Sequence, residues 1–104
     1  MCPKFILENF EKEGLVMIIG KVQYHKQLAY KKENIISGGW WRIDNNLKIF
    51  YLYGDSFDFG AAKLYDIKKC IESKKVFSSY NMTNNLTDNF KFVYITHLNE
   101  HIYL

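Results

Sequence analysis

The segment from Ser37 to Gly60 constrains the fold more than any other stretch of the chain. Two aromatic-rich runs flank Asp44-Asn45-Asn46, a turn signal, so the segment reads as a β-hairpin. The second arm is Leu47–Tyr53. Leu47, Ile49, Tyr51 and Tyr53 fall on one face, and Lys48, Phe50 and Leu52 on the other. Both faces are largely apolar, so this strand is expected inside a sheet with cover on each side. Gly38 and Gly39 interrupt the first arm, Ile35–Ile43, which predicts a bulge or a close backbone approach. The glycine-bounded stretch Gly54–Gly60 follows and leads into a helical pattern. Strand, glycine loop and helix start together gather backbone N–H groups around one point, and such a point attracts an anion.

The remaining elements are read around this hairpin. Lys4–Phe10 is a first strand with Phe5 and Leu7 on one face, and Leu15–Ile19 is an apolar run of central-strand length. Lys21–Lys32 is expected to hold a short helix around Val22, Leu28 and Ala29. Ala61–Lys75 is the clearest helix, with Leu64, Ile67 and Ile71 three and four residues apart. Phe77–Asn89 is rich in Ser, Asn and Thr and reads as a loop. Phe90–Thr96 alternates and reads as the last strand, followed by a tail. The expected fold class is α+β: a mostly antiparallel mixed sheet with one long helix and a short helix packed on it. At 104 residues the chain is expected to form a single domain, residues 1–104.

Composition narrows the function classes. A net charge of +3 suits a phosphorylated or acidic ligand but falls short of the basic stripe of a dedicated nucleic-acid binder. The two cysteines, Cys2 and Cys70, have no disulfide or metal spacing and are read as free thiols in a reducing compartment. No run approaches the about 18 apolar residues of a membrane span, and the opening Met-Cys-Pro-Lys has no apolar core of signal-peptide length. The expectation is a soluble, cytoplasmic protein with no metal, no cofactor and no membrane partner. Asn81-Met82-Thr83 and Asn85-Leu86-Thr87 match the glycosylation acceptor pattern and are read as a polar loop.

Four pieces in order resemble the Janus/ocnus family of protein phosphohistidine phosphatases. Lys4-Phe5-Ile6-Leu7 is similar to the family's first strand, which opens with a lysine. Tyr24-His25 is similar to its Tyr-His pair, whose histidine is catalytic. Ser37-Gly38-Gly39 is similar to its glycine-rich strand start. Tyr53-Gly54-Asp55-Ser56-Phe57-Asp58-Phe59-Gly60 is similar to its Tyr-Gly-x-Ser-x-x-aromatic-Gly loop. The match covers residues 4 to about 75. The resemblance implies a phosphohistidine-phosphatase-like fold. It implies hydrolysis or binding of a phosphoryl group carried on nitrogen, on a phosphorylated protein or a small phosphorylated ligand.

By position, His25 is the implied base or phosphoryl acceptor. Lys4, Gly39 and the backbone of Ser56, Phe57 and Asp58 are the implied phosphate ligands. Trp40 stands at the family's arginine, and Arg42, two residues on, is the candidate substitute on the same strand face. Leu64 stands near a second family histidine. Asp55 and Asp58 place carboxylates in the anion loop. One unit charge about 4 Å from a phosphate costs about 4 kcal/mol at an effective dielectric of about 20. Two other readings compete. One is a non-enzymatic interaction module built on the aromatic hairpin around Trp40 and Trp41. The other is a single-stranded nucleic-acid binder, against which the modest charge counts.

Overall fold

A computed structural model describes residues 1–79 and 86–104 in full and the backbone of residues 81–85. Tyr80 and the side chains of both acceptor asparagines, Asn81 and Asn85, lie outside the described residues. Strands β1 (Cys2–Phe10) and β2 (Gly14–Val22) form an antiparallel hairpin around a turn in which Gly14 takes φ +78°. β3 (Ile35–Asp44) pairs with β1, and β4 (Ile49–Tyr53) pairs with β3. The turn between β3 and β4 is closed by Asp44, whose carboxylate accepts from the N–H groups of Asn46 at 3.0 Å and Leu47 at 3.1 Å. The expected hairpin therefore forms, and β4 lies inside the sheet. Next come the two-residue strands β5 (Asp55–Ser56) and β6 (Gly60–Ala61), helix α1 (Leu64–Glu72), β7 (Val76–Ser78), β8 (Asn81–Asn85), β9 (Lys91–Ile95) and β10 (His101–Tyr103).

Among the described residues the strand order is β10-β9-β4-β3-β1-β2-β7-β8, with β5 and β6 branching from β3. The sheet is mixed and curls into a half-barrel. Alternation explains why β1 and β2 sit at its centre. Phe5, Leu7, Met17 and Ile19 face the main core, where Ile67 and Cys70 of α1 meet Phe50, Leu52, Val76 and Phe92. Ile6, Val16 and Ile18 face the opposite side, where Leu28 covers them. A strand apolar on both faces needs cover on both faces, and the two clusters supply it. The buried Cys70 thiol donates weakly to the Leu15 carbonyl at 3.7 Å, and burial pushes its pKa up to about 12, so it is a packing group.

The helical expectation needs correction. The chain is mostly strand, and the one α-helix among the described residues is nine residues long, so one long helix with a second short helix is not its fold class. Ala61 is taken out of the helix by β6, which pairs with Ser56 and Asp55 and with Gly38. At the other end Lys74 adopts φ +57°, which stops the helix and turns the chain back. Lys21–Lys32 holds no α-helix: β2 runs on to Val22, and 3₁₀ turns span His25–Leu28 and Lys32–Asn34. Phe77–Asn89 is not a plain loop either. β7 pairs in parallel with β2, Met17 opposite Val76, and β8 pairs with β7. His101, expected in a tail, starts β10, which pairs with β9. No helix among the described residues is long and apolar enough to cross a membrane.

Candidate functional site

Three short pieces of backbone meet beside the first half of β3. The first is the start of β1. Lys4 lies opposite Trp40 in the β1–β3 ladder, its ammonium 5.1 Å from the indole centroid. The same ammonium donates to the Gln23 carbonyl. Backbone pairing sets Lys4 beside Trp40, and the hydrogen bond and the electrostatic attraction of a cation to an indole face hold the charge there.

The second piece is the turn that carries His25. Gln27 closes it: its side-chain oxygen accepts from the N–H groups of Gln23 at 3.0 Å and Tyr24 at 2.8 Å, and its own N–H donates to the Tyr24 carbonyl at 3.0 Å. His25 is 7% exposed and lies against β3, with Nε2 2.8 Å from the Gly39 carbonyl oxygen. A carbonyl oxygen only accepts, so Nε2 carries the hydrogen and Nδ1 keeps its lone pair. Nδ1 has no partner among the described residues. The imidazole fits because residue 38 is glycine. A Cβ there would stand 2.8 Å from the Phe5 carbonyl oxygen and 2.9 Å from His25 Cδ2. Gly38→Ala is accordingly expected to lower stability by about 1–3 kcal/mol. It is also expected to shift the His25 ring resonances, read by thermal unfolding and by NMR of the imidazole; unchanged resonances count against this packing.

The third piece is the loop. Here the sequence pattern promised a helix start, and the structure has the β5–β6 hairpin, with Ser56 opposite Gly60. The buried Ser56 hydroxyl shapes the turn by accepting from Phe59 N–H at 3.2 Å. The amides of Phe57 and Asp58 make no hydrogen bond among the described residues, and the Phe57 side chain is fully exposed. Gly54, at φ +70°, lets the chain pass the Trp40 ring, whose Cδ1 would stand 2.9 Å from any Cβ there. The Trp40 indole N–H donates to the Asp55 carbonyl at 3.3 Å and holds the loop against β3.

These pieces enclose a pocket of about 350 Å³ lined by Lys4, Tyr24, His25, Trp40, Asp55, Ser56, Phe57 and Asp58. Trp40 meets the His25 ring edge-on, centroids 6.3 Å apart. Burial pulls the His25 pKa below its usual value. The Gly39 hydrogen bond opposes this, the Lys4 charge adds to it, and the Asp58 charge opposes it. The imidazole is therefore neutral at pH 7, with one lone pair free.

Of the residues singled out in the sequence, His25, Lys4, Ser56, Phe57 and Asp58 share this pocket. Gly39 supports His25 through its carbonyl and does not line the pocket. Arg42 lies outside it, in a neighbouring cleft of about 320 Å³. The sequence reading missed Gln27 and Glu8, which hold the His25 segment in place. A glutamine at the third position of a turn is half of a capping box, and with Tyr24 in place of the capping serine or threonine the pattern carried only a weak signal. Among the described residues no three His, Cys, Asp or Glu side chains are grouped to hold a metal ion. No protein-family model matches the chain, and no curated protein matches it in sequence.

Proposed function

We propose that this chain hydrolyses phosphoryl groups carried on nitrogen, as the phosphohistidine phosphatases it resembles do. The observation that carries the reading is convergence. A buried, neutral histidine, a fixed lysine and two uncommitted loop amides line one pocket, although they come from residues far apart in the chain. Phosphoryl transfer needs positioned donors and positive charge more than covalent machinery. In this reading His25 Nδ1 forms a bond to phosphorus as the substrate P–N bond breaks, and the leaving nitrogen takes a proton from water. A second water then attacks phosphorus and frees inorganic phosphate and the histidine. Lys4 and the amides of Phe57 and Asp58 hold the phosphoryl oxygens throughout.

The interaction-module reading loses its motivating surface. Trp41 is half-buried: its indole N–H donates to the Lys4 carbonyl at 3.0 Å and the Gly20 carbonyl at 3.2 Å. Trp40 walls the pocket, and neither ring is among the exposed large apolar side chains. The wild-type protein is expected to release phosphate from phosphohistidine and phospholysine peptides and not from a phosphoserine peptide. Colorimetric phosphate detection decides it, and no release from either phosphoramidate overturns the proposal.

A further inference from the structure

The cleft that holds Arg42 is built differently from the His25 pocket. Arg42, Tyr53, Gly54, Thr96, His97 and Asn99 are among its lining residues, and no carboxylate lines it. The His25 pocket, by contrast, contains Asp55 and Asp58. The Arg42 guanidinium sits 4.7 Å above the Tyr51 ring, its cross-strand partner, and has no ion-pair partner among the described residues. A stacked guanidinium is held in place while its N–H fork stays available to a planar anion. The opposite wall is also fixed. Thr96 N–H donates to the Glu100 carbonyl, and Asn99 N–H to the Thr96 carbonyl, each at 2.9 Å. The Thr96 hydroxyl accepts from Glu100 N–H at 3.1 Å.

The two cavities are neighbours on one strand face. Trp40 walls one and Arg42 lines the other, two residues apart on β3, so their side chains emerge about 7 Å apart. Trp40 of the one and Gly54 of the other are packed together, since a Cβ at Gly54 would stand 2.9 Å from Trp40 Cδ1. The same distance of about 7 Å separates residues i and i+2 of an extended peptide.

The geometry points to the Arg42 cleft as a second subsite, which takes an acidic side chain two residues from the phosphorylated residue of a peptide substrate. This rests on the phosphatase reading for the first subsite. The site discriminates by position: an acid one residue away projects to the opposite face of the peptide, and one four residues away overshoots the cleft.

The test uses phosphohistidine peptides with Glu or Gln one, two or four residues from the phosphohistidine on either side. They are assayed with wild-type protein, Arg42→Ala and Arg42→Lys. Wild type is expected to show a KM about three- to fivefold lower for glutamate than for glutamine at a spacing of two, on one side only. That difference collapses in Arg42→Ala and survives in part in Arg42→Lys. The same peptides are titrated into ¹⁵N-labelled protein, so that binding is read whether or not hydrolysis occurs. The Arg42 Nε–H and Gly54 N–H signals are expected to shift with the glutamate peptide and not with its glutamine twin. That shift without phosphate release sinks the phosphatase reading and keeps the subsite. A glutamate preference that persists in Arg42→Ala, or equal shifts with both peptides, overturns the subsite.

Discussion

His25→Ala is expected to reduce phosphate release from phosphohistidine peptides by at least about a thousandfold, because in the proposed mechanism it removes the nitrogen that accepts the phosphoryl group. Trp40 and the β5–β6 loop keep their own contacts in the variant, so binding of inorganic phosphate is expected to survive where turnover does not. Substantial residual release would place the phosphoryl acceptor elsewhere and end the mechanism proposed above. The pH profile gives an independent reading. Burial, helped by Lys4, holds the His25 pKa below its usual value, against the Gly39 hydrogen bond and Asp58. Activity is therefore expected to fall as pH drops through this depressed value, and the acid limb of kcat/KM lies below the ordinary histidine range near about 6.5. Lys4→Met removes a charge that lowers the pKa and is expected to move that limb to higher pH. Asp58→Asn is expected to move it to lower pH. Stability follows the same linkage. The fold prefers the neutral ring, so the His25 contribution is present above the unfolded pKa and is lost as pH falls through the folded value.

How much of this was legible in the sequence depends on which interactions are local. The β3–β4 hairpin was readable because Asp44 caps its own turn and the flanking residues alternate. The pairing of β7 with β2 was not, because three residues carry no period and their strand conformation is set by Met17, some sixty positions away. The helix was read too long for a related reason. Leu64, Ile67 and Ile71 have helical spacing, but Ala61 is claimed by a ladder partner across the loop. His25 was legible as a residue and illegible as an environment. No sequence pattern says that Gly38 leaves room for its ring, or that Gly39 selects its tautomer. Arg42 shows the limit of counting along a strand. Two residues from Trp40 does put it on the same face, yet that step carries it past the wall into another cleft.

Glu8→Ala is expected to destabilise the fold by about 3 kcal/mol, although Glu8 lies outside the pocket. Its carboxylate is 1% exposed and sits at the register shift between β1 and β3. One oxygen accepts from Tyr30 N–H and the other from Lys31 N–H, each at 2.8 Å. These two residues join the His25 turn to the segment entering β3, and the Tyr30 ring stacks on Phe10 at 6.0 Å. Hydrogen bonds to a charged acceptor contribute about 1.5–3 kcal/mol each, and the truncated side chain leaves a void beside Ile35. For a chain of this size the loss corresponds to a fall in Tm of about 15 °C. Glu8→Gln separates the carboxylate from the space it fills. It keeps one acceptor and turns an NH2 group toward the other N–H, so about half the loss is expected. Hydrogen exchange at Tyr30 and Lys31 gives the local reading. Both amides are expected to exchange faster in Glu8→Ala while the β1–β2 ladder stays protected. Because the freed segment carries His25, KM for phosphohistidine peptides is expected to rise with the same ordering, wild type below Glu8→Gln below Glu8→Ala. A stable Glu8→Ala protein with protected Tyr30 and Lys31 amides would show that the His25 turn is held by its packing on Ile6, Val16 and Ile18 and not by the carboxylate.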